Sequence, residues 1–186
     1  MKKIQASLIF CIIILPSYLL ADDIEKYFKS AIKSYNDGKY SDTIKNCTTI
    51  IKIEPTNSKA YAIRSSAYLE LEQYDKAFED INKHIELEPE IDFHFSIRGD
   101  IYRALKKYEE AIEDYSAVIN VDPDYFYAYL NRGDCYYNLK EYINAIDDFS
   151  KAIELEPGSV LAYVGRGCVY YDTEEYELVI NDFSTA

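Results

Sequence analysis

The chain has no tryptophan, one methionine, two histidines and only six glycines among its 186 residues. His84 and His94 have no ligand-spaced partner on their own helix faces, so a structural role is expected and a metal site is not. The glycines build no phosphate-binding loop, and neither Gly-x-Ser-x-Gly nor Cys-x-x-Cys occurs. Adjacent carboxylates such as Glu109–Glu110 and Asp147–Asp148 point apart on a helix, so they are expected as solvated surface rather than an acid–base pair. No catalytic constellation, metal or cofactor is therefore expected. Basic residues are also scarce. The formal net charge is −13, and the body of the chain has no Lys or Arg run longer than Lys106–Lys107. That excludes a surface built for nucleic acid or anionic lipid.

The first 21 residues differ from the rest. A short basic start, Lys2–Lys3, precedes the apolar stretch LIFCIIILPSYLL, and Ala21 stands before Asp22–Asp23. This pattern predicts a signal peptide at 1–21 and an exported bacterial protein, periplasmic or secreted. The alternative is an uncleaved N-terminal anchor, although the apolar stretch is short for spanning and carries Pro16. Phe10 before Cys11 does not fit a lipoprotein cleavage box. Beyond this segment Cys47, Cys135 and Cys168 remain. They have no disulfide-framework spacing, and buried thiols are expected.

What the chain has in abundance is tyrosine, twenty in all, at 48% apolar composition. Nine recur in two series with a period of 34 residues: Tyr40, Tyr74, Tyr108, Tyr142 and Tyr176 form one, Tyr68, Tyr102, Tyr136 and Tyr170 the other. Pro55, Pro89, Pro123 and Pro157 share the period. With proline at position 32, the repeats span 24–57, 58–91, 92–125, 126–159 and 160–186, the last ending at position 27. Each reads as two helices. Tyr129, Gly133 and Tyr136 make one apolar stripe, Ala145, Phe149 and Ala152 a second, and the proline ends the second helix. Neither helix can bury its stripe alone, so neighbouring repeats must stack.

These residues resemble the tetratricopeptide repeat family over 24–186. Tyr129, Gly133, Tyr136, Ala145, Phe149, Ala152 and Pro157 fit its pattern throughout repeat four. Repeat one is the most divergent, with Ser34, Thr43, Cys47 and Ile50. The resemblance implies an all-α fold, a right-handed solenoid of antiparallel helix pairs whose first helices line a concave groove. The positions it turns toward that groove carry Tyr35, Leu69, Asp100, Arg103, Tyr127, Leu130, Asp134, Tyr137, Leu161, Val164 and Tyr171. One subgroup of the family clamps a chaperone's C-terminal carboxylate with Lys, Arg and Asn. The matching positions here carry Phe28, Ile32, Ile63, Phe93 and Ile97, so that clamp is absent.

Two Arg-Gly-Asp tripeptides, 98–100 and 132–134, fall at positions 7 to 9 of first helices. A helical, partly buried tripeptide does not present an adhesion loop, so the glycine is expected to serve helix approach. Position 7 is Arg and position 23 is Asp in four repeats: Arg64 with Asp80, Arg98 with Asp114, Arg132 with Asp148, Arg166 with Asp182. Repeat one replaces both, with Ser30 and Asn46. An interhelical Arg–Asp pair in each of those four repeats is expected, of bidentate geometry. The functional expectation is a non-enzymatic scaffold holding a partner helix or extended peptide, with apolar anchors and a basic residue for Asp100 and Asp134. The alternative is an assembly subunit of an envelope complex. The segment from Glu177 onward is expected to fray or to dock on another chain, with Phe183 against Tyr163.

Overall fold

The computed structural model describes residues 22–90 and 93–185. The predicted signal peptide lies outside them. The described residues are helices and short turns throughout. The described residues divide into two compact units, with the boundary between Glu88 and Pro89. In the N-terminal unit, α1 (22–36) and α2 (Tyr40–Ile53) form the first pair, α3 (Ser58–Glu70) and α4 (Tyr74–Leu87) the second. In the C-terminal unit the pairs are α5 (Phe93–Ala104) with α6 (Tyr108–Val121), α7 (Phe126–Asn138) with α8 (Tyr142–Leu155), and α9 (Val160–Asp172) with α10 (Tyr176–Thr185). Within each unit, consecutive helices pack on one another. No described helix is long and apolar enough to cross a membrane.

Local chemistry sets the helix ends. Each first helix stops at a residue in the left-handed region, with φ of 71° at Gly38, 55° at Glu72, 59° at Lys106, 63° at Lys140 and 64° at Glu174. Backbone bonds close the turn beneath it: Gln73 N–H donates to Tyr68 O and Glu72 N–H to Leu69 O, each at 2.9 Å. That is the Schellman pattern, and it satisfies carbonyls the helix leaves open. Second helices end one residue before the residue that precedes proline. There the chain is extended, as at Glu54 (φ −133°, ψ 90°) and Glu156 (φ −134°, ψ 84°), because the proline ring disfavours helix in the residue before it. Asn57 and Ser159 cap α3 and α9, accepting from Ala60 N–H and Ala162 N–H. Each satisfies a donor with no partner inside its helix.

The two helices of a pair meet through a matched small and large residue. A Cβ on Gly99 would lie 2.8 Å from the Tyr115 ring, and one on Gly133 would lie 3.1 Å from Phe149. Where the second helix carries the smaller Cys47 or Ile81, the first carries Ala31 or Ser65, and all four are fully buried. Ser65 Oγ and Thr43 Oγ1 donate to carbonyls of the facing helix, Ala77 O at 2.7 Å and Ala31 O at 3.3 Å. Both glycines of the Arg-Gly-Asp tripeptides thus lie under aromatic rings.

The arginine before each of those small residues is held from several sides. Arg132 Nε and Nη2 donate to the two carboxylate oxygens of Asp148, both at 2.8 Å, and Nη1 donates to Ser116 Oγ of the preceding repeat at 2.8 Å. Arg64 does the same with Asp80 (2.7 Å twice) and Thr48 (3.0 Å). Arg166 does so with Asp182 (2.8 Å twice) and Ser150 (2.9 Å). Arg98 makes the bidentate pair with Asp114 at 2.7 and 2.6 Å. Aromatic rings flank the guanidinium one turn away on either side: Tyr129 and Tyr136 lie 5.7 and 5.8 Å from Arg132, Tyr163 and Tyr170 each 5.8 Å from Arg166. The repeated tyrosines are therefore core fillers that also present π faces to a cation. In repeat one a neutral pair takes this place, with Asn46 Nδ2 donating to Ser30 Oγ at 3.0 Å.

One expectation changes here. Asp148 is buried while Asp147 is exposed, so only the latter is solvated surface. The two neighbours do point apart, but Asp148 points into the pair. Burial raises the Asp80 and Asp148 carboxyls, and Arg64 and Arg132 oppose that rise. At the other end, α10 is helical through Thr185, with Val179 and Asp182 buried, and Phe183 lies over Gly167.

The matched contact predicts unequal glycines. Gly99→Ala should cost about 1–3 kcal/mol, since the new methyl must displace the buried Tyr115 ring. Gly158→Ala, where an added Cβ meets nothing within 4 Å, should stay within about 0.5 kcal/mol of wild type. Urea denaturation of the two variants checks this.

Candidate partner-binding surface

The first helices carry the candidate groove residues, and the two units differ in what they do with them. In the N-terminal unit, Tyr35 meets Tyr40 edge to face at 5.4 Å. It borders a cleft of about 150 Å³ with Ile32, Asn36, Ile63 and Ser66. Leu69, on the same side of α3, is half-buried.

In the C-terminal unit a cavity of about 390 Å³ opens between α7 and α9. Leu130, Leu161, Val164 and Cys168 form its walls, Phe149 and Gly165 its floor, and Arg103, Asn131, Asp134 and Tyr137 its polar end. Six of the eleven candidates thus border one cavity. Gly165 is what lets Phe149 reach the floor, since a Cβ there would lie 2.6 Å from the ring. Leu161 and Val164 are 68% and 39% exposed. Tyr127 and Tyr171 lie outside the cavity and are exposed; Tyr127 meets Phe126 edge to face at 5.1 Å and Tyr171 meets Tyr176 edge to face at 6.0 Å.

Asp100 belongs to a hydrogen-bonded group rather than to an open acidic surface. It accepts from Tyr115 Oη at 2.6 Å and from Asn131 Nδ2 at 2.9 Å, and Arg103 Nη2 lies 3.9 Å away. Arg103 Nη1 donates to Asp134 Oδ2 at 3.2 Å. Burial, then Asp100, holds the Tyr115 phenol far above its ordinary range. Burial alone would lower the Arg103 guanidinium, but Tyr115, Asp100 and Asp134 outweigh it and raise it. Both groups therefore keep their protons, and Asp100 is compensated inside the protein. Of the two acids expected to meet a basic partner residue, Asp100 is the more fully satisfied within the protein. Tyr137 is tied as well: its hydroxyl donates to Asp172 Oδ2 at 3.0 Å, and burial with that bond raises it to about 12.

Sequence reasoning missed Asn131, Phe149 and Gly165 as members of this site. Phe149 and Gly165 occupy packing positions of the repeat, and only their pairing opens the floor. Cys168 is half-buried in the cavity wall, unlike the fully buried Cys47 and Cys135. His84 is a buried structural histidine, its Nδ1 lying 3.2 Å from Ser58 O. Among the described residues no group of three or more His, Cys, Asp or Glu side chains is placed to hold a metal ion.

The chain matches the tetratricopeptide repeat family over residues 58–91, 99–140 and 126–159, together just over half its length. A 45-residue segment is 40% identical to human DnaJ homolog subfamily C member 7; it covers 24% of this chain and 9% of that protein. Among solved structures, a MamA protein is similar over 89% of this chain and 90% of its own, at 21% identity and a TM-score of 0.75. MamA from Desulfovibrio magneticus RS-1 is similar over 88% and 92%, at 18% identity and a TM-score of 0.79. YrrB, described as a repeat protein of this kind with an unusual peptide-binding site, is similar over 89% of each chain, at 17% identity and a TM-score of 0.70. At such identities the likeness establishes the fold.

The thiols supply a test of this geometry. Burial raises Cys47 and Cys135 from 9.0 to about 12. A thiol whose pKa is raised on folding contributes stability below about pH 9, and that contribution is lost as pH rises toward about 12. At pH 8 a thiol reagent should label Cys168 in the folded protein and reach Cys47 and Cys135 only after denaturant is added. Peptide mapping of the labelled sites reads the result.

Proposed function

The chain belongs to the tetratricopeptide repeat family, and from that premise we propose that it is a protein-interaction scaffold. Its first helices hold a partner helix or extended peptide. The observation that carries this reading is the apolar cavity between α7 and α9, with Leu161 and Val164 exposed at its mouth and Tyr127 and Tyr171 exposed nearby. Large apolar side chains left in water at a concave site are the usual mark of a surface that a ligand covers. Binding of this kind needs no catalytic group and no cofactor. The reading of residues 1–21 as an export signal, or as a retained anchor, would place the scaffold outside the cytoplasm.

A second reading rests on a different face. On α10, Ile180 is 70%, Tyr176 56% and Phe183 47% exposed. The corresponding residue to Phe183 one repeat earlier, Phe149, is 3% exposed. This face would serve an assembly subunit that associates with other copies or with an envelope complex.

A pull-down from envelope extract, comparing wild type with Leu161→Ala, separates the two. Truncating an exposed anchor should weaken capture by about 2 kcal/mol with helix content unchanged. Capture that survives the substitution, together with concentration-dependent oligomers, would favour assembly through α10. As an internal control, Tyr136→Ala should lower stability by about 3 kcal/mol. Its ring packs against the core of the α7–α9 region and against Arg132. If Leu161→Ala unfolds the protein and Tyr136→Ala does not, the assignment of faces is wrong.

A further inference from the structure

Asp134 stands where Asp100 stands one repeat earlier, but without the two donors that satisfy Asp100. In the step between α5 and α7, the Tyr115 hydroxyl and the Asn131 amide both donate to Asp100. One step later, between α7 and α9, the ring is Phe149, which has no hydroxyl, and the amide's position is Gly165, which has no side chain. Asp134 retains Arg103 Nη1 at 3.2 Å and a long contact from Asn138 Nδ2 at 3.5 Å. Phe149 and Gly165 both line the cavity of about 390 Å³. In the N-terminal unit the matching step, between α1 and α3, has Ile63 at the glycine's position and Ile32 at the aspartate's. Its cleft measures about 150 Å³. An open apolar floor with a half-exposed carboxylate at its edge thus arises from two substitutions within one repeating pattern.

We infer that this cavity is an anchor site for a partner segment carrying a basic residue beside an apolar one. The inference rests on the scaffold reading above and names the partner's chemistry. The apolar side chain fills the space over Phe149 and Gly165. The ammonium or guanidinium group donates to Asp134, supplying what Tyr115 and Asn131 supply to Asp100. Charge complementarity selects the sign. Among the described residues Arg103 is the only cation lining the cavity, and it already answers Asp134 and Asp100. Exposed Asp172, bonded to Tyr137 at the rim, and a chain of net charge −13 favour a cationic partner over an acidic one. An acidic segment would meet Asp134 and Asp172 with like charge.

Two acetylated, amidated synthetic peptides test this, identical except that one carries Leu-Lys pairs and the other Leu-Glu pairs. Titrated into the full chain, the lysine peptide should bind at least about tenfold more tightly, a difference of about 1.4 kcal/mol. Added salt should shrink that margin, since part of the pair is exposed. At saturation it should slow maleimide labelling of Cys168 in the cavity wall. Asp134→Asn, at a side chain 42% exposed, should abolish the difference between the peptides, and Val164→Trp should fill the cavity and remove binding. Equal binding of both peptides, or binding that leaves Cys168 labelling unchanged, would overturn the cavity assignment while the wider groove reading stands. Binding of neither peptide would also overturn it. Only if Leu161→Ala also left partner capture intact would the groove reading fall with it.

Discussion

A guanidinium placed between two packed helices has hydrogen-bonding directions that must all be answered, and that requirement organises this fold. Arg64, Arg132 and Arg166 each meet it with two bonds to an aspartate of their own repeat and a third to a hydroxyl of the repeat before. Taking such a charge out of water costs several kcal/mol, so a register that misplaces any partner carries a heavy penalty. The bidentate fork adds direction as well as energy. Repeat one has no helix before it among the described residues and uses the uncharged Asn46–Ser30 bond instead. At Arg64, Arg132 and Arg166 the ion pair lets one residue tie three helices together.

With register fixed, small differences in side-chain volume decide where the surface is closed and where it is open. Glycine beneath an aromatic ring, or alanine and serine beneath cysteine and isoleucine, give each helix pair a filled core. Between α7 and α9 the same complementarity is incomplete. Gly165 provides room that Phe149 only partly takes, and the remainder is a cavity. Next to it, Tyr115, Asn131 and Asp100 close the equivalent space with a polar network. The fold thus repeats while the site does not, which is how a periodic scaffold acquires a local preference.

Much of this was legible in the sequence. The period of 34 placed the helices and their proline-directed ends, and paired changes at positions 7 and 23 pointed to the arginine–aspartate bridge. Asp147–Asp148 misled because adjacency on a helix says the two residues differ in direction, not which one faces inward. The groove list named Leu161 and Val164 but could not identify the cavity, since that depends on a ring and a glycine from different helices. Asp100 and Asp134 looked equivalent for the same reason. Their difference lies in the Tyr115 hydroxyl and the Asn131 amide, contributed by neighbouring helices and invisible in either acid's own surroundings along the chain.

A double-mutant cycle on Arg132 and Asp148, read by urea denaturation, tests most directly whether the buried pair fixes the architecture. Asp148→Ala alone strands a guanidinium that is 17% exposed and should cost about 3–5 kcal/mol. Arg132→Met combined with Asp148→Leu removes both charges and fills the space. It should recover most of that loss while lowering the cooperativity between adjacent repeats, seen as a broader transition. If Asp148→Ala costs less than about 1 kcal/mol, as an exposed surface pair would, the pair is incidental and something else holds the register.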